Sequence, residues 1–155
     1  WFWLSQAAGF GVTFRTCVLI LIPVAVSGGI HLDGLLDTAD ALSSYKSREE
    51  KLEILKDSHA GAFAIIVGIC YFVLSFGIYS EMTAHRLAVL SWGFALSRAF
   101  SGGLTGGICA AGALLSFVWY RHMSYSKFGG VTGDLAGCFV QTAELVMALA
   151  VILCR

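Results

Sequence analysis

The sequence predicts an all-α, polytopic membrane bundle, and three observations carry that prediction. The chain is 57% hydrophobic and only 13% charged over 155 residues, with a mean hydropathy of +0.79. A soluble domain is nearer to roughly 45–50% apolar and about 25% charged. Uncharged stretches as long as a bilayer crossing recur along the chain, and the polar residues gather in short segments between them. One proline and 18 glycines exclude a Pro-rich or collagen-like chain. A formal net charge of zero gives no electrostatic case for nucleic acid as a partner.

Taken in order, Phe10 to Ile30 is apolar but interrupted by Arg15, Pro23 and Gly28-Gly29. The residue before a proline avoids the α region, so a kink or break is expected near Ile22. Ala41 to His59 is strongly polar, and its Leu52 and Leu55 among charges suit a short amphipathic helix on a membrane surface. Ala60 to Ser80 holds about twenty residues without a charge, enough for a ~30 Å hydrocarbon core. Leu87–Phe100, Leu104–Tyr120 and Cys138–Cys154 read as further spans, the last carrying Glu144. The five cysteines (Cys17, Cys70, Cys109, Cys138 and Cys154) lie in apolar segments without CxxC spacing and read as small buried hydrophobes. The whole is one transmembrane domain, residues 1–155. It opens at Trp1 without a basic n-region or cleavage site, so an upstream segment is expected.

Orientation follows Lys and Arg. Ala41–His59 carries four of the ten and is placed in the cytoplasm. Two crossings then return the chain there at Arg98, and a third, Leu104–Tyr120, would put Arg121 and Lys127 outside. An unseen crossing, and hence a missing internal segment and a gap in the chain near residues 101–104, would repair the parity.

The densest chemistry lies in His31-Leu-Asp33-Gly34-Leu-Leu-Asp37-Thr-Ala-Asp40. The three aspartates are spaced i, i+4 and i+7 and share one face of a helix. Like charges so placed repel, and polar residues this dense beside a span are costly unless used. Oxygen-only ligands suit Mg²⁺, which binds through one or two carboxylates plus substrate phosphates. Asp33, Asp37 and Asp40 are therefore expected to converge on Mg²⁺ (Mn²⁺ suits the same ligands) or on the place it would occupy, at least two of the three near a common point.

The second polar segment is Lys127-Phe-Gly129-Gly130-Val-Thr132-Gly133-Asp134. Its glycines let backbone N–H groups approach an anion, with Lys127 supplying charge, Thr132 a hydroxyl and Asp134 a metal or hydroxyl contact. Lys56, Asp57 and Ser58, at the mouth of a span, and Arg98 add contacts for a pyrophosphate. His31 would hydrogen-bond a carboxylate or phosphate. Glu144, inside its span, would pair with Arg15 or Arg98 or face the site. Metal carboxylates beside glycine N–H groups and basic residues are what phosphoryl transfer needs.

Four ordered motifs together resemble the cobalamin synthase (adenosylcobinamide-GDP ribazoletransferase) family. They are Gly29–Ala41, Leu55–Phe63, Ser97-Arg98-Ala99 and Phe128–Gly137. The resemblance implies Mg²⁺-dependent joining of adenosylcobinamide-GDP to α-ribazole, or its 5′-phosphate, at a bacterial or archaeal cytoplasmic membrane. It implies catalytic roles for Asp33, Asp37, Asp40, Lys56 and Asp134. Substrate contacts would come from His31, Asp57, Ser58, Arg98, Lys127, Gly129, Gly130, Thr132 and Gly133. A homo-oligomer is also possible. The chain departs from the family in a short stretch between Arg98 and the Gly-rich loop, and in Leu32, where relatives often carry an acid. Two other classes use membrane carboxylates. A CDP-alcohol phosphotransferase would need an Ala-Arg soon after Gly34, where Leu35-Leu36 stands. A carboxylate-lined cation transporter would place its acids at mid-membrane on broken helices, with no use for a Gly-rich loop.

Overall fold

The computed structural model describes residues 1–57, 59–82 and 103–153. The helices in these residues are α1 (Phe2–Ala7), α2 (Val12–Val26), α3 (Ile30–Ser43), α4 (Arg48–Ile54), α5 (Ala62–Ser80), α6 (Gly103–Met123) and α7 (Gly133–Leu153). No strand occurs among the described residues. α5 and α7 are each long and apolar enough to cross a membrane, and α2 with α3 forms a pair that passes the same test but is bent by 89°. The protein is an all-helical membrane bundle.

The bend does not fall where the proline suggests. Pro23 lies inside α2, and Ser27 N–H still reaches its carbonyl at 3.0 Å. Proline lacks only its own donor, and one missing bond does not end a helix whose neighbours pack. The break falls at Gly28 and Gly29, with φ of +64° and +81°. Without Cβ atoms these residues take the left-handed conformation that turns the chain into α3.

Apolar side chains cover the outside of the bundle, as lipid demands, and some polar ones lie within it. Ile65, Ile66, Ile69 and Val73 of α5 and Leu114, Leu115 and Val118 of α6 are exposed, while Thr38, Ser75 and Gln141 are buried. Contact surfaces between helices are built from small residues. Gly68 meets Leu36, Gly112 meets Val146, and Gly137 meets the His31 backbone. With no hydrophobic drive between helices in lipid, close approach is what holds them.

Helix directions follow from these contacts. Asp40 sits at the start of α5 and Leu36 meets Gly68 further along it; Gly34 touches the start of α7 and His31 meets Gly137, so both helices run antiparallel to α3. Cys109 near the start of α6 packs with Ala150 and Val151, whereas Tyr120 and Met123 at its end pack with Ala41 and Leu135. α6 therefore returns to the α3 end. This brings Arg121 and Lys127 to the end of the bundle that carries the aspartates. The span expected at Leu87–Phe100, and residues 101–102 of the gap expected near 101–104, lie outside the described residues.

The polar segment Ala41–His59 contains the expected short helix, α4. Its start is fixed by a capping box: Ser47 Oγ accepts from Glu50 N–H at 3.3 Å, and Ser47 N–H donates to Glu50 Oε2 at 3.0 Å. Those hydrogen bonds hold the exposed Glu50 carboxyl below its ordinary range. α6 runs on into one π-helical turn, Ser124–Phe128, so only a few residues before α7 remain irregular. Cys109 and Cys138 are buried as expected, but Cys17 and Cys70 are exposed on the apolar surface.

Candidate active site

The site is assembled where α3 crosses α7. Gly34 makes the crossing possible: a Cβ there would meet the Asp134 carbonyl oxygen, and its Cα at 2.9 Å. Asp134 stands in the first turn of α7, where the helix dipole favours an acid. α3 is 14 residues long, about 21 Å, too short to span a bilayer alone. It presents Asp33 and Asp37 one turn apart beside Asp134. Burial, then the charges of Asp33, Asp134, Asp40 and Asp57, push the Asp37 carboxyl up to about 6. These charges are all carboxylates.

Asp40 has a different task. Its Oδ2 accepts from Gly61 N–H at 2.6 Å and its Oδ1 from Ala64 N–H at 2.9 Å. These are free donors at the start of α5, so Asp40 caps that helix across 21 residues of sequence. Gly61 leaves room for it, because a Cβ there would lie 2.7 Å from Asp40 Oδ1. At least two of Asp33, Asp37 and Asp40 are expected at a common point, and Asp40 is the one engaged elsewhere. Among the described residues no group of three or more His, Cys, Asp or Glu side chains is arranged to hold a metal ion. The donor set still suits a hard cation that takes one or two carboxylates and completes its shell with water and phosphate oxygens.

The Gly-rich segment is fastened at both ends. Phe128 is 1% exposed and anchors the start in a core with Ala41, Leu55 and Leu135. Gly129, at φ +72°, closes the π turn. The N–H groups of Gly129 and Gly130 both donate to the Ser124 carbonyl. They are thus committed to the turn, a correction to the expectation that these two amides cradle a phosphate. Thr132 Oγ1 accepts from Leu135 N–H at 3.3 Å and caps α7. The amides from Val131 to Asp134 precede the first α7 hydrogen bond, from Ala136 N–H to the Thr132 carbonyl.

The sequence model of the cobalamin-5-phosphate synthase family matches residues 1–105 and 92–152 of this chain. A protein of Lachnoclostridium phytofermentans named adenosylcobinamide-GDP ribazoletransferase is 36% identical over 198 residues, covering 98% of this chain and 76% of its own. One of the same name in Pseudomonas putida is 28% identical over 193 residues, covering 97% and 80%. The chain belongs to the cobalamin-5-phosphate synthase family. A further relative of that name, in Clostridium botulinum, is 42% identical over 74 residues, covering 48% of this chain and 29% of its own. No solved structure is a significant match.

The remaining expected site residues lie on several elements of the chain. His31 is half-buried, with its backbone against Gly137. Lys56 and Lys127 are exposed, and Gly133 opens α7. Asp57 pairs with His59, whose Nδ1 lies 2.7 Å from Asp57 Oδ1. The hydrogen bonds from His59 side chain and backbone hold the Asp57 carboxyl below its ordinary range. Glu144 accepts a hydrogen bond from Tyr79 Oη at 3.1 Å. Ser58 and Arg98 lie outside the described residues.

Arg48 is the residue that sequence reasoning did not single out. Its Nε donates to the Phe128 carbonyl at 2.7 Å, and its guanidinium covers Gly129. Its place amid the charges of α4 gave no signal of this. The cap role of Asp40 carries its own expectation. Asp40→Ala lowers thermal stability by about 0.5–2 kcal/mol, the ordinary worth of a lost N-cap. The loss is the same with and without Mg²⁺ in a melting experiment; a loss that appears only with Mg²⁺ would assign Asp40 to the metal instead.

Proposed function

We propose that the protein is a membrane-embedded, Mg²⁺-dependent phosphotransferase. It joins adenosylcobinamide-GDP to α-ribazole, or its 5′-phosphate, giving adenosylcobalamin, or its 5′-phosphate, and GMP. A hydroxyl of the ribazole attacks the phosphorus attached to cobinamide, the bond from that phosphorus to the GMP oxygen breaks, and GMP leaves. The observation that carries this reading is the carboxylate cluster around Asp37, set directly against the Gly-rich segment by the Gly34–Asp134 contact, in a chain of this family. The names of the relatives supply the substrate.

Asp37, with at most one neighbouring carboxylate from Asp33 or Asp134, would hold Mg²⁺, which when bound would supply neutralising charge for a pyrophosphate. The amides from Val131 to Asp134 orient the phosphates, with the α7 dipole behind them. Lys56 and Lys127 bring positive charge to the same end. Asp40 keeps the α3 carboxylates in register with α5. The setting is a bacterial or archaeal cytoplasmic membrane, with the α3 end facing the nucleotide. A missing segment near residues 101–104 belongs to the same reading. It is supported by two matched stretches that overlap at 92–105 and by a 198-residue alignment against a chain of 155.

The test is an assay of purified, lipid-reconstituted protein with adenosylcobinamide-GDP and α-ribazole 5′-phosphate. The expected result is stoichiometric GMP and adenosylcobalamin 5′-phosphate, abolished by EDTA and restored by Mg²⁺. Full turnover in EDTA would remove the metal from the mechanism, and no product under any condition would remove the reaction.

A further inference from the structure

The start of the Gly-rich segment is held from outside by a residue 80 positions away. Arg48 Nε donates to the Phe128 carbonyl at 2.7 Å. The guanidinium lies so close over Gly129 that a Cβ there would overlap Arg48 Cζ and both Nη atoms. Gly129 is therefore glycine for two reasons, its φ of +72° and the group that covers it. Arg48 is brought there by local structure. Tyr45, 95% exposed, takes φ +53°, a conformation rare for a bulky residue, and turns the chain between α3 and α4. The capping box of Ser47 and Glu50 then fixes the α4 start that bears Arg48.

We propose that Arg48 is a positioning residue for the reaction: by clamping Phe128 and Gly129 it holds the segment from Val131 to Asp134 where it receives the phosphates of the nucleotide substrate. This rests on the proposed function. The clamp needs arginine. A planar guanidinium can donate along one edge to the carbonyl while its face lies on the glycine, which a lysine ammonium cannot do. The segment is then fixed at one end by Arg48 and at the other by the Gly34–Asp134 contact.

The test uses lipid-reconstituted protein and two independent readouts. In kinetics, Arg48→Ala raises KM for adenosylcobinamide-GDP about tenfold and leaves that for α-ribazole 5′-phosphate within about twofold, the loss of one charge-assisted contact. Arg48→Lys keeps the charge yet stays close to Arg48→Ala. In thermal melting, Gly129→Ala destabilises the parent more than it destabilises Arg48→Ala, because the added methyl displaces the guanidinium only where one is present. An unchanged KM for the nucleotide substrate, an equal rise for both substrates, full rescue by Arg48→Lys, or additive melting losses would each overturn the proposal. A parent inactive with these substrates would overturn the proposed reaction, and the melting cycle would still decide whether the clamp exists.

Discussion

Asp37→Asn should lower turnover roughly a thousandfold, about 4 kcal/mol of lost charge stabilisation, without lowering the melting temperature in EDTA. The two halves of this expectation come from one arrangement. Asp37 lies among Asp33, Asp134, Asp40 and Asp57, and its carboxyl is pushed up by burial and by those four charges. Asparagine keeps the shape and removes the repulsion, so the metal-free fold loses nothing. What it removes is a ligand. Mg²⁺ should therefore raise the melting temperature of the parent by binding the native state and should leave that of Asp37→Asn nearly unmoved. GMP release and melting curves with and without Mg²⁺ measure both. Turnover within about tenfold of the parent, or an undiminished Mg²⁺ shift in the variant, would remove Asp37 from the centre of the site.

Gly34→Ala should be the most damaging change of a single methyl on α3. The new Cβ would meet the backbone of Asp134, its carbonyl oxygen and, at 2.9 Å, its Cα. Backbone at the start of a helix cannot step aside as a side chain does, so α3 and α7 must move apart. Overpacking of this kind costs about 1–3 kcal/mol. Separation of Asp33 and Asp37 from Asp134 should reduce turnover as well. Gly68→Ala is the control. Its Cβ would meet only Leu36 Cδ2 at 3.2 Å, the end of a flexible side chain, and its effect should be small. Melting temperature and turnover for the two variants form the measurement. Equal tolerance of both would show that the crossing is not held by close backbone approach.

Much of this protein was legible from its residues. The uncharged run Ala60–Ser80 became α5, because a span is defined by length and apolarity, both local properties. The i, i+4, i+7 aspartates fell on one helix, because helical periodicity is local too. The motifs that resembled a family led to the family that the comparisons show. Two local inferences went astray for a shared reason. Pro23 was read as a kink or break because its own backbone limits are local; α2 runs on through it without a break, and the Gly28-Gly29 turn is where the chain bends. Gly129 and Gly130 were read as phosphate donors, whereas their N–H groups close the π turn on Ser124.

What only the tertiary structure decided is how one carboxylate differs from the next. Asp37 and Asp40 are three residues apart and chemically identical. One is surrounded by like charge, and the other is spent on two amides of a helix 21 residues further on. Arg48 and Lys46 are likewise near neighbours in a charged stretch, and only Arg48 reaches Phe128, 80 residues away. The sequence by itself determined the helices, the membrane and the chemical type of the site, since periodicity, hydropathy and residue type act over one or two turns. The division of labour among its charges was left to contacts between distant elements, because the role of a carboxylate or guanidinium is set by the group brought opposite it, and that group's position depends on the packing of the whole bundle.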